Sequence, residues 1–143
     1  MNTTLLGPVL DLRAPKRQVP AGTIDCHAHI FDHFDRYPMD PDRKYTPPVC
    51  TRESWLNMHR IMGVGRGVQV HGSTYAFDNS ITEDFIQTDP KRFRAVGAIA
   101  PGTSREHIAR LDKAGFRAAR LMDQYPNGAT TRDLEKIVDI IAE

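Results

Sequence analysis

The sequence predicts an α/β fold, and three observations predict it. Short runs rich in Val and Ala, such as 67–71 and 93–100, alternate with segments whose apolar residues recur every three or four positions. Two of those segments open on Thr or Ser and end on Gly, residue types that cap helices at the two ends. Strands joined through helical crossovers pair in parallel, because a right-handed crossover returns the chain to the same sheet in the same direction.

Residues 1–22 carry Pro8, Pro15, Pro20 and Gly22 without sustained periodicity, so an extended N-terminal arm is expected there, ahead of a domain over 23–143. Residues 23–30 follow a Pro-Ala-Gly turn signal and read as the first strand. The stretch 31–50, rich in Pro, Asp, Arg and Tyr, is expected to be a loop far above the usual connection of about 4–6 residues. Thr51 then caps a helix striped by Trp55, Met58, Ile61 and Met62, with Gly63 as its stop. Residues 67–71 give a second strand. A second helix starts at Asn79 or Ser80, with Asp78 and Asn79 as caps, and closes at Asp89-Pro90, because proline disfavours helical geometry in the residue before it. Residues 93–100 form a third strand. Ser104 opens a third helix with Ile108, Leu111 and Ala114 on one face, Gly115 stops it, and 116–121 supply a fourth strand. A fourth helix starts near Thr131, striped by Leu134, Ile137, Val138 and Ile141. Both an open doubly wound sheet and part of a closed barrel fit this alternation.

A chain of 143 residues is one domain, well short of the roughly 250 of a complete β/α barrel. Nineteen Lys and Arg against eighteen Asp and Glu give a net charge of +1, which offers no global basic field for nucleic acid or an anionic membrane. No apolar run approaches the roughly 18 residues that span a bilayer, and MNTTLLGPVL lacks a cationic leader, so the expectation is a cytoplasmic protein. Cys26 and Cys50 stand singly, outside any CxxC pair, and read as reduced thiols.

The sharpest local signal is Asp25-Cys26-His27-Ala28-His29. In a regular strand, positions i, i+2 and i+4 share a face, so Asp25, His27 and His29 are expected to project together. Two imidazoles about 7 Å apart along a strand converge on one ion by rotamer choice. A bare HxH also suits two hydrogen-bonded histidines with no ligand, but this one ends a strand that leads into a long polar loop, where α/β sites form. His71 offers a third strand-end imidazole or a hydrogen-bonded one. His33, His59 and His107 lie on loop or helix with no obvious partner and read as structural.

TIDCHAHIFD resembles the first-strand HxH signature of the amidohydrolase superfamily of β/α barrels. YTPP at 45–48, VQVHG followed by YAFDNS at 75–80, DPKRFRAVGAI at 89–99 and AGFRAARLM at 114–122 resemble its 2-pyrone-4,6-dicarboxylate lactonase-like branch. The resemblance implies the N-terminal four βα units of a TIM (β/α)8 barrel. It also implies hydrolysis of a lactone or related cyclic ester of a carboxylated small molecule. A metal-dependent decarboxylase on the same barrel and a non-catalytic α/β binding or regulatory module are the alternatives.

In the same way His27 and His29 become the catalytic pair and the ligands of one divalent metal, zinc or manganese. In metal-independent members of the branch they are instead polar contacts to the substrate carbonyl or carboxylate. Arg120 matches an arginine that binds a substrate carboxylate, for which a guanidinium supplies two parallel charge-assisted bonds. Tyr45 matches a loop tyrosine, and Ser73, Thr74 and Tyr75 follow the second strand, where hydroxyls reach a ligand oxygen. The branch often has a further basic residue where this sequence reads Asp123-Gln124-Tyr125-Pro126, which argues against a dicarboxylate pyrone. With four strands of eight, the late aspartate that shuttles protons in the superfamily has no counterpart. The expectation is an incomplete enzyme, inactive as this chain alone, whose exposed strand edges favour a homodimer.

Overall fold

Four strands, β1 (Ile24–Ala28), β2 (Arg66–Val70), β3 (Phe93–Gly97) and β4 (Phe116–Ala119), form one parallel sheet in the order β1-β2-β3-β4. The computed structural model describes residues 5–125 and 127–142; residues 1–4 of the expected arm, Pro126 and Glu143 lie outside the described residues. Between and after the strands run α1 (Arg52–Met62), α2 (Ser80–Ile86), α3 (Arg105–Ala114) and α4 (Leu134–Ile141). Strand order separates the two architectures left open by the periodicity. A doubly wound sheet reverses its order at a switch point, whereas consecutive order with right-handed crossovers keeps the helices on one face, as in a β/α barrel. β1 and β4 each pair with a single neighbour. No helix among the described residues is long and apolar enough to cross a membrane.

The caps explain where the helices stop and start. The Thr51 hydroxyl accepts the Ser54 N–H at 3.2 Å and the Ser104 hydroxyl accepts the His107 N–H at 3.3 Å, each filling a bond the first helical turn leaves open. Gly63 and Gly115 end α1 and α3 at φ +80° and +113°, a region where a Cβ is strained. At α2, Asp78 caps through the Ser80 N–H at 3.0 Å. Asn79, expected as a cap, instead clamps the end of β3: its Nδ2 donates to the Ala98 carbonyl at 2.8 Å and its Oδ1 accepts the Ala98 N–H at 3.0 Å. A 3-10 turn, Thr131–Asp133, precedes α4 and carries a Thr130–Asp133 capping box. Every strand ends before its expected limit, at 28, 70, 97 and 119, because the last residues of each apolar run turn out into loops.

Neighbours in a parallel ladder point to the same side of the sheet, so the register sorts residues by face. Gly67, Phe93 and Ala95 look toward the helices, where Trp55, Phe85 and Phe93 meet with ring centroids 4.8–5.5 Å apart. Gly67 is required there: a Cβ on it would lie 2.6 Å from the Trp55 ring. The opposite face carries Ile24, Val68, Val96 and Ala118, none of them buried.

Candidate active site

The C-terminal ends of the strands gather with the 31–50 loop and with the 3-10 turn Ser73–Tyr75 that follows β2. A backbone bridge between Phe31 and Cys50 ties the base of that loop, with N···O distances of 3.0 and 2.7 Å. The loop is also pinned along its length, by Tyr37 Oη donating to Asp84 at 2.7 Å and by the Asp40 N–H donating to the Thr74 carbonyl at 2.8 Å.

A β-bulge decides what β1 presents to this mouth. Asp25 pairs with Gly67 and Ala28 with Gln69, three steps on one strand against two on the other. The extra residue reverses the alternation. Asp25 therefore shares the helix-covered face with Gly67, while His27 and His29 turn to the other face. The expectation that Asp25 projects with the histidines is corrected; it assumed a regular strand.

His27 Nε2 and His29 Nε2 lie 3.4 Å apart, with ring planes at 88°. His29 Nδ1 donates to the Val70 carbonyl at 2.8 Å, which leaves Nε2 as the acceptor facing His27 Nε2. Burial holds the His29 pKa below the ordinary imidazole range, outweighing the bond to Val70, and the Arg120 charge adds to the depression. A tetrahedral zinc with Zn–N bonds of about 2.1 Å separates its donor nitrogens by about 3.4 Å, so the pair has the bite of a chelate. Among the described residues no group of three or more His, Cys, Asp or Glu is placed to hold a metal ion. The pair fits two corners of a coordination sphere.

Arg120 lies one residue beyond β4, and the Val96–Ala118 pairing puts it by alternation on the histidines' face. Its Nη1 donates to the His71 carbonyl at 2.7 Å. The consecutive carbonyls of Val70 and His71, where β2 ends, thus hold the imidazole just after β1 and the guanidinium just after β4. Tyr45 brings its hydroxyl within 3.4 Å of Ser73 Oγ, and its ring sits 6.1 Å from Tyr125, over which the Lys44 ammonium lies at 5.8 Å. An open cleft of about 660 Å³ is lined by His29, Phe31, Tyr45, Cys50, Tyr125 and Leu6 of the arm.

Ser73, Thr74 and Tyr75 are all buried. Ser73 reaches Tyr45, Thr74 Oγ1 has no partner, and Tyr75 stacks on Phe31 at 6.1 Å, where burial pushes its phenol pKa up. His71 does not enter the mouth. Its Nε2 donates to the Ala76 carbonyl at 2.9 Å, the Thr82 hydroxyl sits 3.5 Å from Nδ1, and burial lowers its pKa to about 4. The bond steadies Ala76 at φ +49°, the one non-glycine with positive φ among the described residues.

Two residues escaped the sequence reading. His59, expected to have no partner, is fully buried and donates from Nε2 to Asp25 Oδ2 at 3.0 Å. Asn127 donates to the Ser73 carbonyl at 3.1 Å and keeps a buried, unpartnered Oδ1. Both contacts join residues far apart in sequence, and no local motif marks either.

The amidohydrolase family model matches residues 24–143. The chain is 31% identical over 128 residues to a 4-sulfomuconolactone hydrolase of Hydrogenophaga intermedia, covering 90% of this chain and 42% of that protein. It is 28% identical over 106 residues to a 2-pyrone-4,6-dicarboxylate hydrolase of Comamonas testosteroni, covering 74% of this chain and 35% of that one. The chain spans about two fifths of the length of these curated relatives. In fold, it superposes on an Agrobacterium tumefaciens crystal structure with a TM-score of 0.78 at 24% identity, over 90% of this chain and 47% of the other.

Proposed function

The chain belongs to the amidohydrolase family, and from that premise we propose that its site serves the hydrolysis of a lactone bearing a carboxylate or similar anionic group. One observation carries the reading: two imidazole Nε2 atoms 3.4 Å apart share a sheet face with Arg120 at the strands' C-terminal end. In the net reaction, the oxygen of water adds to the ring carbonyl carbon, the ring C–O bond breaks, and the proton goes to the released ring oxygen. The product is an open-chain hydroxy acid. The neutral His29 ring, locked by Val70, presents a fixed lone pair, and His27 presents the facing nitrogen. These two residues would hold a zinc or manganese ion, which when bound supplies polarisation of the carbonyl and a more acidic water.

Arg120 is the anion clamp in this reading. Its guanidinium already donates to one carbonyl and keeps further N–H groups for a bidentate carboxylate. The relatives are named for anionic lactones, one sulfonated and one dicarboxylated, which suits a cationic clamp beside an ester-activating pair. Tyr45 supplies a hydroxyl at the cleft for a lactone oxygen, backed by the buried Ser73 hydroxyl 3.4 Å behind it.

Titration calorimetry of the folded chain with zinc tests this, using a carboxylated lactone and its neutral methyl ester. The carboxylated ligand is expected to bind at least about tenfold tighter, a margin of about 1.4 kcal/mol, and Arg120→Met is expected to erase the preference. Equal affinity for the two ligands in the unsubstituted chain would overturn the proposal.

A further inference from the structure

The geometry points to Asp25 as a positioning residue for the His27–His29 pair, acting from the opposite face of the sheet through His59 and Trp55 on α1. This rests on the reading that the pair acts as a unit at the mouth. One carboxylate takes three hydrogen bonds. Asp25 Oδ2 accepts from Trp55 Nε1 at 2.8 Å and from His59 Nε2 at 3.0 Å, while Oδ1 accepts the backbone N–H of His27 at 3.2 Å. Both α1 donors are buried, at 4% and 0% exposure, and α1 is fixed at each end by Thr51 and Gly63.

These contacts span the bulge. On one side of the extra residue the chain is fastened to α1 through a side chain; on the other, the same carboxylate holds the amide of the first histidine. A strand without the bulge turns Asp25, His27 and His29 to one side, either stranding the carboxylate in the mouth or driving both imidazoles under the helices. An irregular backbone persists only where its surroundings over-determine it, and Asp25 supplies that determination. His59 fits the role. It is a fully buried imidazole that packs on Trp55 under the sheet, its Nε2 bonded to Asp25 and its Nδ1 unpartnered.

The test compares Asp25→Ala, Asp25→Asn and Leu111→Ala, the last a buried α3 residue remote from β1 that serves as a control for lost stability. Two readouts are taken at a temperature where far-UV circular dichroism shows all variants folded. The first is the nitrogen-15 spectrum of the His27 and His29 rings in metal-free protein, with the cross-peaks between the rings. The second is zinc affinity by competition with a chromophoric chelator. Asp25→Ala is expected to abolish the inter-ring cross-peaks and the fixed His29 tautomer and to weaken zinc binding about 10- to 100-fold. Asp25→Asn, which keeps a carbonyl acceptor, is expected to restore part of both; Leu111→Ala is expected to change neither. An unchanged ring spectrum in Asp25→Ala overturns the inference, as does an equal loss in Leu111→Ala. The ring spectrum needs no metal. If the unsubstituted chain takes up no zinc, the metal reading fails while the spectra still decide the role of Asp25.

Discussion

The two faces of the sheet are built on opposite principles. The face under the helices is closed by Trp55, Phe85 and Phe93, all at most 4% exposed, with Gly67 pared to a hydrogen so that the indole can lie on the backbone. The other face carries Val68, Val96 and Ala118 in partial or full exposure and, at its upper rim, His27, His29 and Arg120. One face buries the core and the other carries the candidate site. The bulge in β1 is where the chain passes from the first role to the second, since Asp25 packs with the core while its neighbours two and four residues on do not.

Substitutions that treat the faces alike should separate them most sharply. Trp55→Ala removes a buried indole and a donor to Asp25, and urea titration is expected to show a loss of about 3–5 kcal/mol. Val68→Ala on the open face is expected to cost about 1 kcal/mol or less, and equal losses would refute the contrast. Next in size is acid sensitivity beneath the rim. Unfolded His71 titrates near 6.5 and folded His71 near 4. Between those values the unfolded chain binds the extra proton, so stability is full above about pH 6.5, falls as pH drops through the window, and flattens near pH 4. The whole fall is on the order of 3 kcal/mol, and stability profiles of His71→Asn against the unsubstituted chain check it by losing that slope.

Smaller still is the Cβ test. Gly67→Ala is expected to destabilise by about 1–3 kcal/mol through its clash with Trp55, whereas Ala118→Ser on the exposed face should stay within about 0.5 kcal/mol. The candidate site itself is expected to contribute little to stability. The double variant His27→Ala/His29→Ala is expected to shift unfolding by about 1 kcal/mol or less while removing any rise of Tm with added zinc, measured by scanning calorimetry.

Much of this was legible in the sequence because it is local. Thr51, Ser104, Gly63 and Gly115 declare helix ends within a few residues of themselves, and the alternation of elements follows from the spacing of apolar side chains. The HxH pair was legible as a candidate because it sits where a strand runs out, and Arg120 through the family resemblance. The sheet face was not. Which side Asp25 occupies depends on the register of β1 against β2, a pairing some forty residues apart, and period-two reasoning across an unseen bulge gives the wrong side. His59 and Asn127 were missed for the same reason: each acquires its partner only when distant segments meet. Asn79 shows the local rule overridden, its capping chemistry spent on Ala98 nineteen residues away.

The two consecutive carbonyls that end β2 give the site a common jig. Val70 fixes the His29 ring and His71 fixes the Arg120 guanidinium, so any tilt of that short stretch of peptide swings both tools together. In the proposed reading, an anion gripped by Arg120 pulls on the same peptide that supports the imidazole, so a load on one is felt at the other.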